Sequence, residues 1–166
     1  MNNQIIGKKL LLMGSKAFNS GKLPVQIRNK IDQAIERKMT IIVGEAPGAN
    51  RVFQDYLASC NYREVIVGHA RSMRYNAGKW VTRKYGEKLR ERENNMILAC
   101  DSAIIIWSDK SSVIAENLEI LKNLGKPVFI YEYSNITNTG KAGWLDPEKI
   151  FDPYFGWKER MRKKKP

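Results

Sequence analysis

Five short apolar runs, each closed by glycine or polar turn residues, restrict what this chain can become. They are Lys8–Met13, Thr40–Val43, Glu64–Gly68, Ala103–Trp107 and Val128–Tyr131. The segments between most of them carry apolar residues at helical spacing. Pro24 opens one such segment, with Val25, Ile27, Ile31, Ala34 and Ile35 as its stripe. Val52, Phe53, Tyr56 and Leu57 mark a second. Glu87 to Ala99 forms a third, with Leu89, Met96 and Ile97 as core contacts. Ile114, Leu118, Leu121 and Leu124 form a fourth, with Ser112 as its cap. Strands alternating with helices imply an α/β fold with a mostly parallel sheet and helices on both faces. Ile104–Ile106 is apolar at every position, as expected of a strand covered on both sides. The reading is therefore a mostly parallel five-stranded sheet followed, beyond Tyr133, by an irregular extension. That extension is rich in aromatics (Trp144, Phe151, Tyr154, Phe155, Trp157), which are expected to pack on the domain or on a partner subunit.

At 166 residues the chain suits one domain with a real core, divided here into residues 1–133 and an extension over 134–166. No apolar run is long enough to cross a bilayer and the first residues lack a signal-peptide pattern, so no membrane association is expected. Two cysteines and one histidine give no metal-ligand spacing and no disulfide framework. No metal and no cofactor are expected, and a reduced, cytoplasmic setting follows. Cys60 and Cys100 read as packing residues.

The formal net charge is +12. One basic cluster closes the chain, and another runs from Arg71 through Arg74, Lys79, Arg83, Lys84, Lys88, Arg90 and Arg92. A basic surplus attracts polyanions or phosphorylated small molecules, or keeps a protein in solution. In the loop Arg74–Trp80 the charges interleave with Tyr75 and Trp80, and Tyr85 follows. Such a loop could stack the bases of a single-stranded nucleic acid, or fold as a lid over a small nucleotide.

Ligands of open parallel sheets bind outside the carboxyl ends of the strands. At that edge fall Gly14-Ser15-Lys16, the turn from Gly44 to Arg51, the start of the basic loop, and Ser108–Ser112. The turn Gly44-Glu45-Ala46-Pro47-Gly48-Ala49-Asn50-Arg51 runs from a strand into a helix, the arrangement that offers free N–H groups to a phosphate. Neither the P-loop pattern nor the dinucleotide pattern G-x-G-x-x-G occurs.

Four segments in order, Met13–Lys16, Val43–Asn50, Arg74–Trp80 and Ile106–Ser111, resemble the YspA-like branch of the SLOG superfamily. These are Rossmann-like domains related to the LOG (lysine-decarboxylase-like) and DNA-processing protein A domains. The resemblance spans roughly Lys8 to Tyr131. It implies a pocket for a nucleotide or nucleotide derivative, used either to cleave the N-glycosidic bond of nucleoside phosphates or to sense a ligand. By position, Gly14 and Ser15 would line the sugar or phosphate region, with Lys16 beside them. Gly44, Pro47 and Gly48 would approach the phosphate, with Asn50 and Arg51 at the helix start. Arg74, Asn76 and Trp80 would come from the basic loop, which the resemblance favours as a lid, and Lys110 and Ser111 from the later turn. The chain departs from the branch in having Asn50 for an aspartate and Val113-Ile114 for Gly-Thr.

Glycosidic cleavage passes through an oxocarbenium-like state and calls for a carboxylate at the anomeric carbon. The candidates are Glu116, which the resemblance favours, and Glu45. Glu116 has a plainer role too, as an acidic residue near a helix start. The leading expectation is a nucleotide-binding module with possible hydrolase activity that forms a homo-oligomer. The alternative is a nucleic-acid-binding protein using the basic loop and tail.

Overall fold

The computed structural model describes residues 3–151. The elements run β1 (Lys9–Gly14), α1 (Val25–Glu36), β2 (Thr40–Gly44), α2 (Ala49–Ser59), β3 (Val65–His69) and β4 (Val81–Lys84). Then follow α3 (Leu89–Ala99), β5 (Ser102–Ser108), α4 (Ser112–Asn123), β6 (Val128–Ser134) and β7 (Thr139–Trp144).

One sheet holds all seven strands in the order β4-β3-β2-β1-β5-β6-β7. Every neighbouring pair is parallel except β6 with β7. The period of two in a strand sends alternate side chains to opposite faces. From β1, Leu10 and Leu12 join the core under α1 and α2, where Ile27, Ile31, Phe53 and Leu57 pack. Leu11 and Met13 join the opposite core, with Met96 and Ile97 of α3 and Ile114, Leu118 and Leu121 of α4. Helices therefore cover both faces, as the alternation of apolar runs requires.

The chain builds outward from β1 through β2 and β3 to β4, then returns across the sheet and adds β5, β6 and β7 on the other side. Strand order reverses between β1 and β5, and in open sheets the crevice at such a reversal is where ligands bind.

The sequence reading needs correction at several points. The sheet has seven strands, not five. β4 lies inside the stretch read as a basic loop; all four of its residues are exposed, so it carries no apolar alternation. β7 lies in the extension read as irregular. Its sequence, TGKAGW, lacks β-branched residues beyond Thr139, yet it pairs with β6 from Phe129 to Ser134. The boundary after residue 133 thus falls within β6, and residues 134–144 continue the same sheet. Leu89 is 58 % exposed rather than a core contact. Cys60 is exposed, while Cys100 is buried as expected. The cap of α4 is Ser111, one residue earlier than read. Trp144 rests edge-on against Phe129, and Phe151 against Trp107. Tyr154, Phe155, Trp157 and the basic tail lie outside the described residues.

Three helices end with the same pair of backbone bonds, C″ to C3 and C′ to C2. After α1, Met39 N donates to Ala34 O and Lys38 N to Ile35 O, both at 3.0 Å. Tyr62 with Asn61 after α2, and Lys126 with Gly125 after α4, repeat the pattern. The turning residues Lys38, Asn61 and Gly125 have φ of 59°, 55° and 71°.

Among the described residues no helix is long and apolar enough to cross a membrane. Among them, too, no three His, Cys, Asp or Glu side chains gather in a way that could hold a metal ion.

Candidate functional site

The site is organised by Ser15, the residue that follows β1 and is 1 % exposed. Its N–H donates to Ile106 O at 2.9 Å, extending the β1–β5 pairing by one residue. Its Oγ accepts the Ser108 N–H at 2.8 Å and lies 3.0 Å from Ser111 Oγ. Its carbonyl accepts the Ala49 N–H at the start of α2, at 3.1 Å. One small hydroxyl residue thus ties β1 to the end of β5 and to the starts of α2 and α4.

Beside it opens a cavity of about 490 Å³ at the β1/β5 reversal. Gly14, Ser15 and Lys16 line one side, and Asn50 and Arg74 come from the next strand connections. Ser111, Val113 and Glu116 bring in α4, while Leu89, Arg90 and Arg92 bring in α3. Among the described residues no side chain caps the start of α4 at this wall, and the first N–H groups of a helix have no intrahelical partner. Asn50 is 6 % exposed and its Oδ1 has no hydrogen-bond partner among the described residues, as is also true of Arg92 Nε. Buried polar atoms left unpaired are costly, and here they border a ligand-sized space. The mouth is apolar: Leu89 and Val113 are 58 % and 54 % exposed.

Beneath the cavity lies a buried ion network. Glu45, 1 % exposed, accepts Arg92 Nη1 at 2.7 Å and Arg74 Nη2 at 3.0 Å on Oε1. Its Oε2 accepts Arg74 Nε at 2.5 Å and the Arg74 N–H at 3.3 Å. Arg92 Nη2 also donates to Glu93 at 3.0 Å. Burial pushes the Glu45 carboxyl upward, but the hydrogen bonds and charge of Arg74, with the charge of Arg92, outweigh it and leave the pKa below the ordinary glutamate value. Glu45 is thus a fixed anion that holds in place two of the arginines lining the cavity. Glu116 is half-exposed, with Oε1 3.0 Å from Arg90 Nη1. Arg90 is further held by Asn117, a fully buried residue of α4.

Of the residues singled out from sequence, Gly14, Ser15, Lys16, Asn50, Arg74, Ser111 and Glu116 converge on this cavity. Others lie apart from its lining. Gly48 has φ +89°, and a Cβ there would stand 2.3 Å from Lys16 O. Its bareness lets two strand connections touch each other. The Gly44 carbonyl is taken by Gln54 at 2.8 Å, and Pro47 is half-buried in the turn. Arg51 stacks 5.0 Å from the Tyr75 ring, and Lys110 sits 5.1 Å over Trp107. Asn76 brackets the backbone of Trp80 by two bonds, at 2.9 and 3.0 Å. Trp80 is 4 % exposed and donates through Nε1 to Tyr62 O at 2.7 Å. The His69 ring makes a local contact, between Nδ1 and Ala70 O at 2.8 Å.

Sequence reasoning passed over Arg90, Arg92, Leu89 and Val113 as site residues. A signal was present in α3. Met96 and Ile97 carry its core contact, yet the position one turn earlier is Arg92, 3 % exposed. A charge at the buried position of a helix points to a polar cavity or a partner ion.

Fold and cavity together define an open α/β protein, covered by helices on both faces, with a ligand-sized cleft at its topological reversal. Comparison with protein-family models, with curated proteins and with solved structures returned no match.

Proposed function

We propose that this chain binds a nucleotide or nucleotide-derived anion in the β1/β5 cavity, as a SLOG-type, Rossmann-like module. The observation that carries the reading is a single cleft joining three features. These are the uncapped start of α4, a wall of Lys16, Arg74, Arg90 and Arg92, and an apolar mouth at Leu89 and Val113. The first two suit a phosphate and the third a base. A nitrogenous base in that mouth would be held by apolar contact, which orients without strong discrimination. The reading includes a cytoplasmic setting and a homo-oligomer.

Within this reading, Glu116 is the carboxylate we assign to hydrolysis of an N-glycosidic bond. It borders the cavity with room to meet a sugar, whereas Glu45 is fully engaged by arginines. The nucleic-acid reading draws less support, because Trp80 and Tyr85 are buried and present no face for stacking.

Thermal unfolding against nucleoside monophosphates and short single-stranded DNA, at low and high salt, tests the proposal. The expected result is stabilisation by one class of small nucleotide that persists at high salt. Stabilisation by the oligonucleotide alone, lost at high salt, would replace this reading with the nucleic-acid one. Where base release is detected, Glu116→Gln is expected to retain binding and lose turnover; an unchanged rate would remove Glu116 from that role.

A further inference from the structure

A second cavity, of about 360 Å³, lies next to the first along the same edge of the sheet. It is built from Ala70, Arg71 and Ser72, directly after β3, and from Glu87 and Lys88, directly before α3. The two cavities share a wall, since Arg74 and Leu89 line both. Glu45 lies beneath that wall and takes Nε and Nη2 of Arg74, so neither bond uses Nη1. The second cavity carries its own cations, Arg71 and Lys88, both exposed. Its carboxylates are engaged: Glu45 by Arg74 and Arg92, and Glu87 by Lys84, with Arg71 Nε at 3.9 Å.

From this pairing we infer that the ligand is longer than a mononucleotide: a nucleotide extended through a diphosphate bridge, of the dinucleotide or nucleoside diphosphate sugar class. The inference rests on the nucleotide reading of the first cavity. The nucleoside end occupies the β1/β5 cavity against Leu89 and Val113. The bridge crosses at Arg74, which among the described residues is the cation common to both spaces. The far end lies against Arg71 and Lys88. Dividing the negative charge among cations at separate points favours the longer ligand over one that reaches only the first set.

The test is calorimetric titration of the intact chain with matched pairs: AMP against ADP-ribose, UMP against UDP-glucose, GMP against GDP-mannose. The expected result is at least tenfold tighter binding of the diphosphate sugar for the base the protein accepts. The double variant Arg71→Glu/Lys88→Glu should then bring the ratio of the two affinities close to one. Its changes fall on exposed side chains, and circular dichroism checks that it is folded. Binding of a monophosphate with a wild-type ratio near one, or a ratio that the double variant leaves unchanged, overturns this inference and spares the nucleotide reading. Binding of none of these compounds overturns both.

Discussion

Lys38, Asn61 and Gly125 occupy the same turn after three different helices, and the comparison isolates what a side chain costs there. Each has positive φ and each lets two backbone N–H groups reach back to the last helical carbonyls. Left-handed backbone is disfavoured for a residue bearing a Cβ by roughly 1–2 kcal/mol, and asparagine tolerates it better than lysine. Lys38→Gly is therefore expected to raise stability by about 0.5–1 kcal/mol, part of the gain being offset by the freer unfolded chain. Urea midpoints with an unchanged slope would register it. A second residue-scale expectation concerns Glu45. Its pKa is lowered in the folded state, so its contribution is present above the unfolded glutamate value of about 4.3 and is lost as the pH falls through the lower, folded value. Glu45→Gln leaves Arg92, at 4 % side-chain exposure, with Glu93 as its remaining carboxylate, so the loss is expected below the roughly 3–5 kcal/mol of a buried charge stripped of its partner. The variant should also lose less stability than the wild type between pH 6 and pH 3, measured by urea unfolding across that range.

At the scale of elements, the connection from β3 to β4 is unusual in making a parallel crossover without a helix. It is held by side chains instead. Gln54, fully buried in α2, donates to Gly44 O and Tyr75 O and accepts the Ala77 N–H at 2.9 Å. Trp80 then enters the core beneath α1 and α2. Trp80→Ala should cost about 3–5 kcal/mol, as for other buried large aromatics. Gln54→Ala should leave the sheet intact and speed amide hydrogen exchange at Ala77 and its neighbours. Exchange there no faster than in the wild type would show that Arg74 and Trp80 suffice to hold the loop. These elements also mark where sequence is informative. Strands covered on both faces announce themselves, as Ile104–Ile106 does, because every position must be apolar. Edge strands β4 and β7 are paired on one side, β4 exposed throughout and β7 at four of its six residues, so their residues carry no such pattern. Arg92 shows as a charge on the buried face of α3, but its partner does not: Glu45 lies 47 positions away, and no local spacing encodes a long-range ion pair.

At the scale of the molecule, the edge of the sheet that holds the cavity was legible from the order of apolar runs alone. Its lining was legible in the segments that follow the strands, at Gly14–Lys16, Asn50, Arg74 and Ser111, and at Glu116 near the start of α4. The α3 side was not, since helix residues reach the cleft by packing rather than by connection. Arg71, Lys88 and Arg90 add positive charge along that side. Association of an anionic ligand is therefore expected to slow several-fold between 20 mM and 300 mM salt, as the Debye length falls from roughly 20 Å to below 8 Å. Dissociation should change less, because the inner contacts at Arg92 and Asn50 are buried. Stopped-flow rates at two ionic strengths separate the two effects.

The bond between Ser15 and Ser111 joins residues 96 positions apart. Everything from β1 to β4 stands on one bank of the cleft, and everything from β5 onward on the other. No local folding event can assemble such a site, and loop closure on this scale comes late and slowly. A bound ligand would thus seal the seam between the two halves of the polypeptide. A chain nicked between Glu87 and Lys88, both exposed, would yield two fragments that each hold part of the cleft and neither the whole. Binding would then report, and reward by mass action, their reunion.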